Sequence, residues 1–435
     1  MVQYSIMQLF GTSGIRKIAD RHLTQLALKV GLAVGDVYRN VVVGYDTRTS
    51  NQAIKHAVIS GLLTAGSRCS DNGVIPTPTL AFAAKEFEAG AMITASHNPP
   101  EYNGIKLLNP DGSAFDAYQR KQIEEIVAND AYHAAPWEEI KQSTVFSGAI
   151  EQHIDRVSQD FPTRLKLRVV VDCGCGATCA ITPYLLTRLG CEVVGLNCYP
   201  SGLFPHDVEP IEANLGDLIK ATREFGAALG IAHDGDGDRM MVIDDRGRFV
   251  SGDKLMVIFA RELGAKEIVT TVDASMAIDE MGFKTIRTMV GDIYVSEELK
   301  KGGKFGGEPS GSWVFPGVSL CPDGVYAAAR IAAIASQQRL STLVDNIPEY
   351  PLLRGSVSSG GIVMAKLEQR LAAMNPLSVI NVDGIKLNFE DGWVLVRASG
   401  TEPKIRITTE AKSEPRLRQL HERSLSIIRD CTEGK

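Results

Sequence analysis

The sequence predicts an α/β protein whose sheets are covered by helices. Three β-branched runs, at residues 41–46, 169–172 and 268–273, each end at an aspartate. Each run is followed by a Ser/Thr/Gly turn and then by a segment that suits a helix. Strand–turn–helix units of this kind build sheets with the functional residues at the strand ends. The chain has 435 residues, enough for several domains, and we expect three related α/β domains.

The charge balance argues against nucleic acid and anionic membranes as partners. Lys and Arg total 46 against 52 acidic residues, which gives a net charge of −6. The N-terminus lacks a basic region followed by an apolar core, and no uninterrupted apolar run approaches the roughly 18 residues of a membrane span. We therefore expect a cytoplasmic protein that acts on a small molecule. A homodimer is compatible with the sequence.

The segment TASHNPPEYNGIK, at residues 94–106, carries a candidate nucleophile. It follows a short apolar run that reads as the end of a buried strand, so Ser96 lies where strand gives way to loop. We expect its hydroxyl to be exposed, beside a proton carrier, His97, and a cation, Lys106. Such a serine suits nucleophilic catalysis or a covalently carried phosphate. A Ser/Asn-rich turn with a helix cap is the structural alternative.

Three aspartates alternate with glycine in the sequence DGDGDR. Glycine lets the backbone turn tightly, so Asp234, Asp236 and Asp238 can converge on one small divalent cation. A calcium-binding hand would need glycine where Arg239 stands and glutamate where Asp245 stands, so we reject that site. Three carboxylates and one external oxygen suit Mg²⁺, which completes its shell with phosphate and water. A solvated acidic turn is the alternative.

Two further loops offer polar groups to a ligand. The loop GGEPSGS joins the carboxylate of Glu308 to hydroxyls such as that of Ser310 and suits a sugar, although a surface turn explains it equally well. The segment from Arg397 to Arg406 contains two guanidiniums, two hydroxyls and a glycine, with a predicted strand on each side. These groups suit a phosphate, and a basic surface hairpin is the alternative.

In this order along the chain, the four loops resemble the α-D-phosphohexomutase superfamily, which includes phosphoglucomutases, phosphomannomutases and phosphoglucosamine mutases. The sequence FGTSGIR, at residues 10–16, resembles the family's N-terminal signature. The resemblance implies three α/β domains with mixed sheets and a smaller C-terminal α+β domain around a central cleft. We place these domains at residues 1–150, 151–250, 251–355 and 356–435, with boundaries in polar or Gly/Ser-rich stretches. They carry in turn the phosphoserine, metal, sugar and phosphate loops.

The resemblance also implies a role for each candidate residue. Ser96 becomes the phosphoserine and, with the three aspartates, a ligand of Mg²⁺. Three residues are candidates for catalytic acid or base, and the choice stays open because an arginine has a high pKa: Arg16, His97 and Lys106. Four residues contact the sugar: Arg239, Asp292, Glu308 and Ser310. Five grip the phosphate that is not reacting: Arg397, Ser399, Gly400, Thr401 and Arg406.

The implied reaction moves a phosphoryl group between the 6- and 1-positions of a hexose phosphate. The phosphoserine donates its phosphoryl group to the free hydroxyl of the substrate and gives a hexose 1,6-bisphosphate. This intermediate reorients in the site, and its original phosphate is then transferred back to Ser96. The same bisphosphate primes the enzyme. Mg²⁺ offsets the phosphoserine charge, and catalysis relies on positioning and electrostatics.

The sequence VGDIYV around Asp292 resembles that of phosphoglucosamine mutases, so glucosamine 6-phosphate is the expected substrate. Many phosphomannomutases and phosphoglucomutases carry histidine there, and their activities are the alternative. Ser312 and Trp313 follow Gly311, where many relatives have histidine, so one sugar contact departs from the family pattern.

Two other function classes are weighed against a mutase. A phosphohydrolase that forms a phosphoserine would need the metal loop but hardly a separate phosphate clamp. A binding protein without catalysis would not need Ser96, the aspartates and the clamp together. The cluster of Cys173, Cys175 and Cys179 lacks the usual paired spacing of a zinc or redox site, so we expect reduced structural thiols.

Overall fold

The fold consists of four sheets, one after another along the chain, with helices packed on them. This arrangement confirms the predicted α/β class with a smaller C-terminal α+β domain. The computed structural model describes residues 9–161, 164–358, 364–398 and 404–432. The three β-branched runs form strands, because such side chains pack well on a pleated, buried surface. Within these ranges, no helix is long and apolar enough to cross a membrane.

The first sheet has six strands: β1 (Ile15–Ile18), β2 (Asn40–Tyr45), β3 (Arg68–Val74), β4 (Ala89–Ile93), β5 (Tyr102–Leu108) and β6 (Thr144–Val145). Its helices are α1 (Arg21–Val37), α2 (Asn51–Thr64), α3 (Thr77–Ala83) and α4 (Ala117–Ala128), with 3₁₀ turns at Ala84–Glu86 and Trp137–Glu139. The strand order is β1-β5-β4-β2-β3-β6. Strand β4 runs parallel to β2, and β5 returns antiparallel to β4. The β4–β5 loop carries Ser96.

The second sheet has five strands: β7 (Arg168–Asp172), β8 (Glu192–Leu196), β9 (Leu229–His233), β10 (Met240–Ile243) and β11 (Phe249–Val250). Its helices are α5 (Ala149–Ser158), α6 (Thr182–Arg188) and α7 (Gly216–Glu224), with 3₁₀ turns at Ala177–Ala180 and Glu212–Asn214. The order is β11-β10-β9-β7-β8, and β9 pairs antiparallel with β10. The turn between these two strands carries the three alternate aspartates.

The third sheet has four strands: β12 (Glu267–Thr271), β13 (Lys284–Thr288), β14 (Gly306–Gly307) and β15 (Trp313–Val314). Its helices are α8 (Gly252–Glu262), α9 (Ala277–Glu280), α10 (Asp292–Leu299), α11 (Gly324–Gln337) and α12 (Leu340–Asp345). The order is β13-β12-β14-β15, with β12 parallel to both neighbours and β14 antiparallel to β15. The β14–β15 turn carries Glu308.

The fourth sheet is antiparallel throughout, in the order β16-β20-β19-β18-β17. Its strands are β16 (Leu352–Ser358), β17 (Ser378–Ile380), β18 (Ile385–Phe389), β19 (Gly392–Ala398) and β20 (Lys404–Ala411), and its helices are α13 (Met364–Ala372) and α14 (Glu414–Thr432). Val394 and Val396 pack into a core with residues of both helices. Trp393 and Leu395 point the opposite way and pack against Val272 of the third sheet's domain.

Two of the predicted domain boundaries fall inside elements. The boundary at 150/151 lies within α5, and the boundary at 355/356 lies within β16, where Ser356 pairs with Arg406. The sequence places the third boundary in the Ser/Gly-rich stretch that follows residue 355. Backbone pairing along β20 overrides this composition, because an edge strand tolerates polar side chains. The remaining division into domains stays a prediction.

Candidate active site

Ser96 lies in the loop that follows β4, and its side chain is only 1% exposed. The predicted exposure of this hydroxyl is therefore wrong, because residues distant in sequence cover it. Ser96 Oγ donates to Asp234 Oδ2 at 2.7 Å and lies 3.2 Å from His97 Nδ1. Ser96 also has a φ of 53°, a left-handed conformation that surrounding contacts must hold in place.

Arg48 supplies much of that support, although the sequence analysis did not single it out. Its buried guanidinium donates to four backbone carbonyl oxygens of the loop at 2.6–3.0 Å, those of Ser96, Asn98, Pro99 and Tyr102. The carboxylate of Asp46 lies 3.2 Å from Arg48 Nε and also accepts from Thr94 Oγ1 at 2.6 Å. The only hint of this role in the sequence is that Arg48 lies two residues after Asp46, the aspartate that ends a predicted strand.

The β9–β10 turn brings the three predicted metal ligands together. Oxygens of Asp234, Asp236 and Asp238 lie within 4.8 Å of one another, and all three side chains are buried. Gly237 allows this tight turn with a φ of 74°. Asp236 Oδ1 is buried and has no hydrogen-bond partner among the described residues. A buried carboxylate oxygen is costly unless a donor or cation meets it, so the group fits a divalent metal site.

Lys106 on β5 reaches the same carboxylates from the first sheet. Its Nζ lies 2.7 Å from Asp236 Oδ2 and 2.5 Å from Asp238 Oδ2, and Thr77 Oγ1 donates to Asp236 Oδ2 at 2.5 Å. Although burial opposes it, the two carboxylates raise the pKa of Lys106, which is therefore protonated. Burial and the neighbouring carboxylates raise the pKa of Asp234 and of Asp238, while Lys106, against the effect of burial, lowers that of Asp236.

His97 and Arg16 flank the Ser96 loop. Burial, together with Arg239, Arg16 and Lys106, lowers the pKa of His97 to about 2. The imidazole is therefore neutral near pH 7, and so low a pKa makes it a weak proton acceptor there. Arg16 Nη1 donates to Asn98 Oδ1 at 3.0 Å. Its Nε is buried and meets no hydrogen-bond acceptor in the part of the chain that the structure describes.

The predicted sugar-binding residues are only partly brought together. The N–H of Gly291 donates to Glu308 Oε1 at 2.9 Å, and Asp292, the first residue of α10, accepts from Ser13 Oγ at 3.0 Å. Burial and the nearby Asp292 carboxylate raise the pKa of Glu308 to about 8. Ser310 instead lies exposed at the tip of the β14–β15 turn.

Arg239 follows the metal loop and is held by an acidic partner. Its Nη1 lies 3.3 Å from Glu209 Oε1. Although burial opposes it, the carboxylates of Asp234 and Asp238 raise the pKa of Arg239. The guanidinium is therefore a fixed positive charge beside the metal loop.

The two arginines of the predicted phosphate loop stand directly opposite each other on β19 and β20. Arg397 and Arg406 line a cavity of about 540 Å³ together with Arg354 and Lys404. Four cationic side chains around one cavity suit an anionic ligand. The other three predicted residues of this loop, Ser399, Gly400 and Thr401, lie outside the described residues.

The cysteine-rich loop packs against the metal loop. The N–H of Ala177 donates to the carbonyl oxygen of Gly235 at 2.9 Å. All eight cysteines of the chain are free thiols, and Cys173 Sγ lies 3.5 Å from Cys198 Sγ. The segment thus supports the turn that carries the aspartates.

The chain is similar to one family of enzymes over most of its length. Residues 7–134, 149–247 and 251–350 match α/β/α domains I, II and III of phosphoglucomutase/phosphomannomutase, and residues 354–426 match its C-terminal domain. A probable phosphoglucosamine mutase of Methanococcoides burtonii is 48% identical over 418 residues, which cover 93% of this chain and 96% of that protein.

Two further comparisons extend this similarity. A phosphoglucosamine mutase of Methanococcus maripaludis (strain C7) is 39% identical over 444 residues, which cover 97% of this chain and 99% of that protein. The crystal structure of a phosphoglucomutase/phosphomannomutase family protein from Burkholderia thailandensis superposes with a TM-score of 0.86 at 27% identity, covering 97% of this chain and 98% of that chain.

Proposed function

We propose a reaction for this chain from the premise that it belongs to the phosphoglucomutase/phosphomannomutase family, of the α-D-phosphohexomutase superfamily. It is a hexose phosphate mutase, an isomerase that transfers a phosphoryl group within its substrate. The substrate we propose is glucosamine 6-phosphate, converted to glucosamine 1-phosphate. The identity of 39–48% to proteins named phosphoglucosamine mutase supports this choice. Phosphoglucomutase or phosphomannomutase activity is the alternative.

The contact between Ser96 Oγ and Asp234 Oδ2 carries the mechanistic proposal, because it places a hydroxyl nucleophile against the carboxylate group. Ser96 holds the phosphoryl group as a phosphate ester and passes it to the free hydroxyl of the substrate. The serine oxygen keeps the electron pair of the broken P–O bond, and a base takes the proton of the attacking hydroxyl. His97 lies 3.2 Å from Ser96 Oγ, but its lowered pKa makes it a weak base, so Arg16, His97 and Lys106 all stay candidates for this role.

Asp234, Asp236 and Asp238 would hold Mg²⁺ together with the Ser96 oxygen. When bound, the ion neutralises phosphoryl charge. The support for this site is geometric: the three carboxylates converge, and Asp236 Oδ1 finds no other partner among the described residues. Lys106, which pairs with two of the three aspartates, keeps the turn in place and offsets part of its charge.

The remaining residues hold the substrate at a distance from Ser96. Arg397 and Arg406 grip the phosphate that is not reacting, and we assign Ser399, Gly400 and Thr401 to the same clamp. Glu308 and Asp292 read the sugar ring. A protonated Glu308 can donate to a hydroxyl, and Asp292 can accept from a 2-ammonium group. A hexose 1,6-bisphosphate primes Ser96. The cytoplasmic location and a homodimer stay predictions.

The test is a panel of 6-phosphosugars (glucosamine, glucose, mannose and N-acetylglucosamine) scored by formation of the 1-phosphate. We expect the glucosamine compound to be converted fastest. Ser96→Ala should abolish turnover, and it should lack the phosphate that we expect intact-mass analysis to find on the unaltered protein. Ser336→Ala, an exposed serine on α11, is the control that should change neither. Inorganic phosphate released without the 1-phosphate would indicate a phosphohydrolase and contradict the proposal.

A further inference from the structure

Asp383 joins two of the candidate binding elements, although the sequence analysis did not single it out. Its Oδ2 accepts from the N–H of Val290 at 3.0 Å and lies 2.7 Å from Arg397 Nη2. Val290 immediately precedes the residues that face Glu308 and Ser13, while Arg397 belongs to the phosphate clamp. One carboxylate oxygen therefore ties the third sheet's domain to the fourth.

The backbone fixes Asp383 beside Arg397. Asp383 precedes β18 in a tight turn whose next residue, Gly384, has a φ of 81°. A side chain at Gly384 would collide with the carbonyl oxygen of Val396 and with Cγ of Arg397. The turn thus rests directly on β19, and the spacing between the carboxylate and the guanidinium does not depend on a flexible loop.

Arg397 keeps part of its guanidinium for a ligand. Its Nη2 faces Asp383, while its Nε is buried and has no hydrogen-bond partner among the described residues. The Arg397 side chain is nevertheless 27% exposed and lines the cavity, so its guanidinium can meet an anion that enters there. Because Asp383 holds the planar guanidinium in one orientation, the anion meets a prearranged donor.

The contacts continue from Val290 through its two neighbours. The N–H of Gly291 donates to Glu308 Oε1 at 2.9 Å, and the carboxylate of Asp292 accepts from Ser13 Oγ at 3.0 Å. Residues 290–292, which we call the junction segment, thus touch three sheet domains within three residues. Because Val290, Gly291 and Asp292 are consecutive and each contacts a different sheet domain, we expect a shift at Val290 to alter the contacts of the other two.

We propose that Asp383 is a positioning residue that couples the phosphate clamp to the sugar-reading residues, an inference that rests on the proposed mutase function. Asp383 orients Arg397 toward the non-reacting phosphate monoester of the substrate. The same carboxylate anchors the junction segment, so the bound phosphate and the groups that read the sugar are set in one arrangement. Substrate phosphate is thereby recognised together with the ring that carries it.

The first test removes the charge of Asp383 and keeps its shape. Asp383→Asn should weaken binding of inorganic phosphate, measured by titration calorimetry, about tenfold, the equivalent of one hydrogen bond to a charged group. KM for the hexose phosphate should rise by a similar factor. Asp383→Glu keeps the charge and should recover part of the affinity. Asp391→Asn is the matched control, because Asp391 pairs with Arg416 elsewhere in the same domain.

The second test measures the coupling through the junction segment. Ser13→Ala and Asp383→Asn alter contacts at its two ends, and we combine them in a double-mutant cycle on kcat/KM. If the junction segment couples the two contacts, the fold-loss in kcat/KM of the double variant should differ by about threefold or more from the product of the two single fold-losses. A cycle of Ser13→Ala with Asp391→Asn should be multiplicative. Multiplicative losses in the Asp383 cycle as well would overturn the coupling.

Failure of this inference is distinguishable from failure of the proposed function. A chain that converts none of the phosphosugars would contradict the mutase proposal, yet calorimetry with inorganic phosphate still reports on Asp383 and Arg397. Unchanged phosphate binding in Asp383→Asn would overturn the positioning role, because the carboxylate would then contribute nothing. Tighter binding would also overturn it, because the carboxylate would then compete with the phosphate for Arg397. Thermal melts of each variant show whether a loss of binding reflects a loss of fold.

Discussion

A single buried cation, Arg48, sets the geometry of the loop that carries Ser96. Its four carbonyl contacts satisfy backbone oxygens that a loop would otherwise expose to water. The planar guanidinium reaches all four from one position, and Asp46 balances its charge within the buried space. The left-handed Ser96 depends on this support.

Arg48→Lys should retain the charge and lose most of these contacts, because an ammonium lacks the planar fork. We expect kcat/KM to fall by about a hundredfold, the usual cost of displacing a reacting group by roughly 1 Å. Phosphorylation of Ser96 by added hexose 1,6-bisphosphate, followed by intact mass, should slow in parallel. Arg418→Lys, in an exposed pair with Glu414, is the control. Near-normal phosphoryl transfer in the Arg48 variant would contradict a positioning role.

The sequence singled out candidate reactive residues, but it did not predict the side chains that surround them. Ser96 and the aspartates could be singled out because each sits in a distinctive local pattern. The burial of Ser96 could not, since it depends on Asp234, 138 residues away, and on Arg48, 48 residues away. Arg48 and Asp383 act through long-range contacts, and their local sequences resemble ordinary turns.

At the scale of elements, the β14–β15 turn holds Glu308 in a buried position. The N–H of Glu308 donates to the carbonyl oxygen of Ser312 at 2.9 Å, and the N–H of Gly311 donates back to that of Glu308 at 3.0 Å. These two bonds close a short hairpin that points the carboxyl group inward, where burial and Asp292 raise its pKa to about 8. The turn thus keeps a carboxylic acid protonated near neutral pH.

Because the pKa of Glu308 is raised in the folded protein, we expect the free energy of unfolding to fall as the pH rises. Between about pH 4.5, the ordinary pKa, and about pH 8, the folded protein retains a proton on Glu308 that the unfolded chain releases. The melting temperature in metal-free buffer should therefore decline across this window. Glu308→Gln is neutral at every pH and should flatten the decline. An equal slope in both proteins would show that other groups dominate.

The alternation of side chains along the chain predicts part of the structure beside the proposed phosphate clamp. Residues 393–396 and 405–409 form strands as expected, in β19 and β20. Alternation separates Val394 and Val396 from Trp393 and Leu395, but it does not say which face meets the third sheet's domain. The Ser/Gly-rich composition around Ser356 predicts a domain boundary there, whereas pairing with β20 makes Ser356 part of strand β16.

For the molecule as a whole, the metal loop is where the first two domains meet. Lys106, Thr77 and Ser96, all from the first domain, contact the aspartates of the second. The resemblance to a family gave the order of domains and their roles. The resemblance also implied that Ser96 lies beside the aspartates. The contacts of Lys106 and Thr77 could not be predicted, because no local pattern in the sequence links a lysine to an aspartate 130 residues away.

A divalent cation should therefore stabilise the folded chain as well as activate it. Mg²⁺ at about a hundred times its dissociation constant should add about 2.7 kcal/mol to the stability, seen as a rise in melting temperature that EDTA reverses. Asp236→Asn should lose both this rise and most activity, because one charged ligand is gone. Asp217→Asn, on the exposed face of α7, is the control. Full activity in metal-free buffer would rule out this role.

The enclosure of Ser96 also determines which agents can phosphorylate it. A protein kinase or phosphatase must draw an extended peptide into its own groove, and the loop that Arg48 fastens cannot be drawn out without unfolding. If Ser96 carries the phosphate of the proposed mechanism, we therefore expect its phosphorylation to follow the supply of small phosphorylated sugars and not the activity of signalling enzymes.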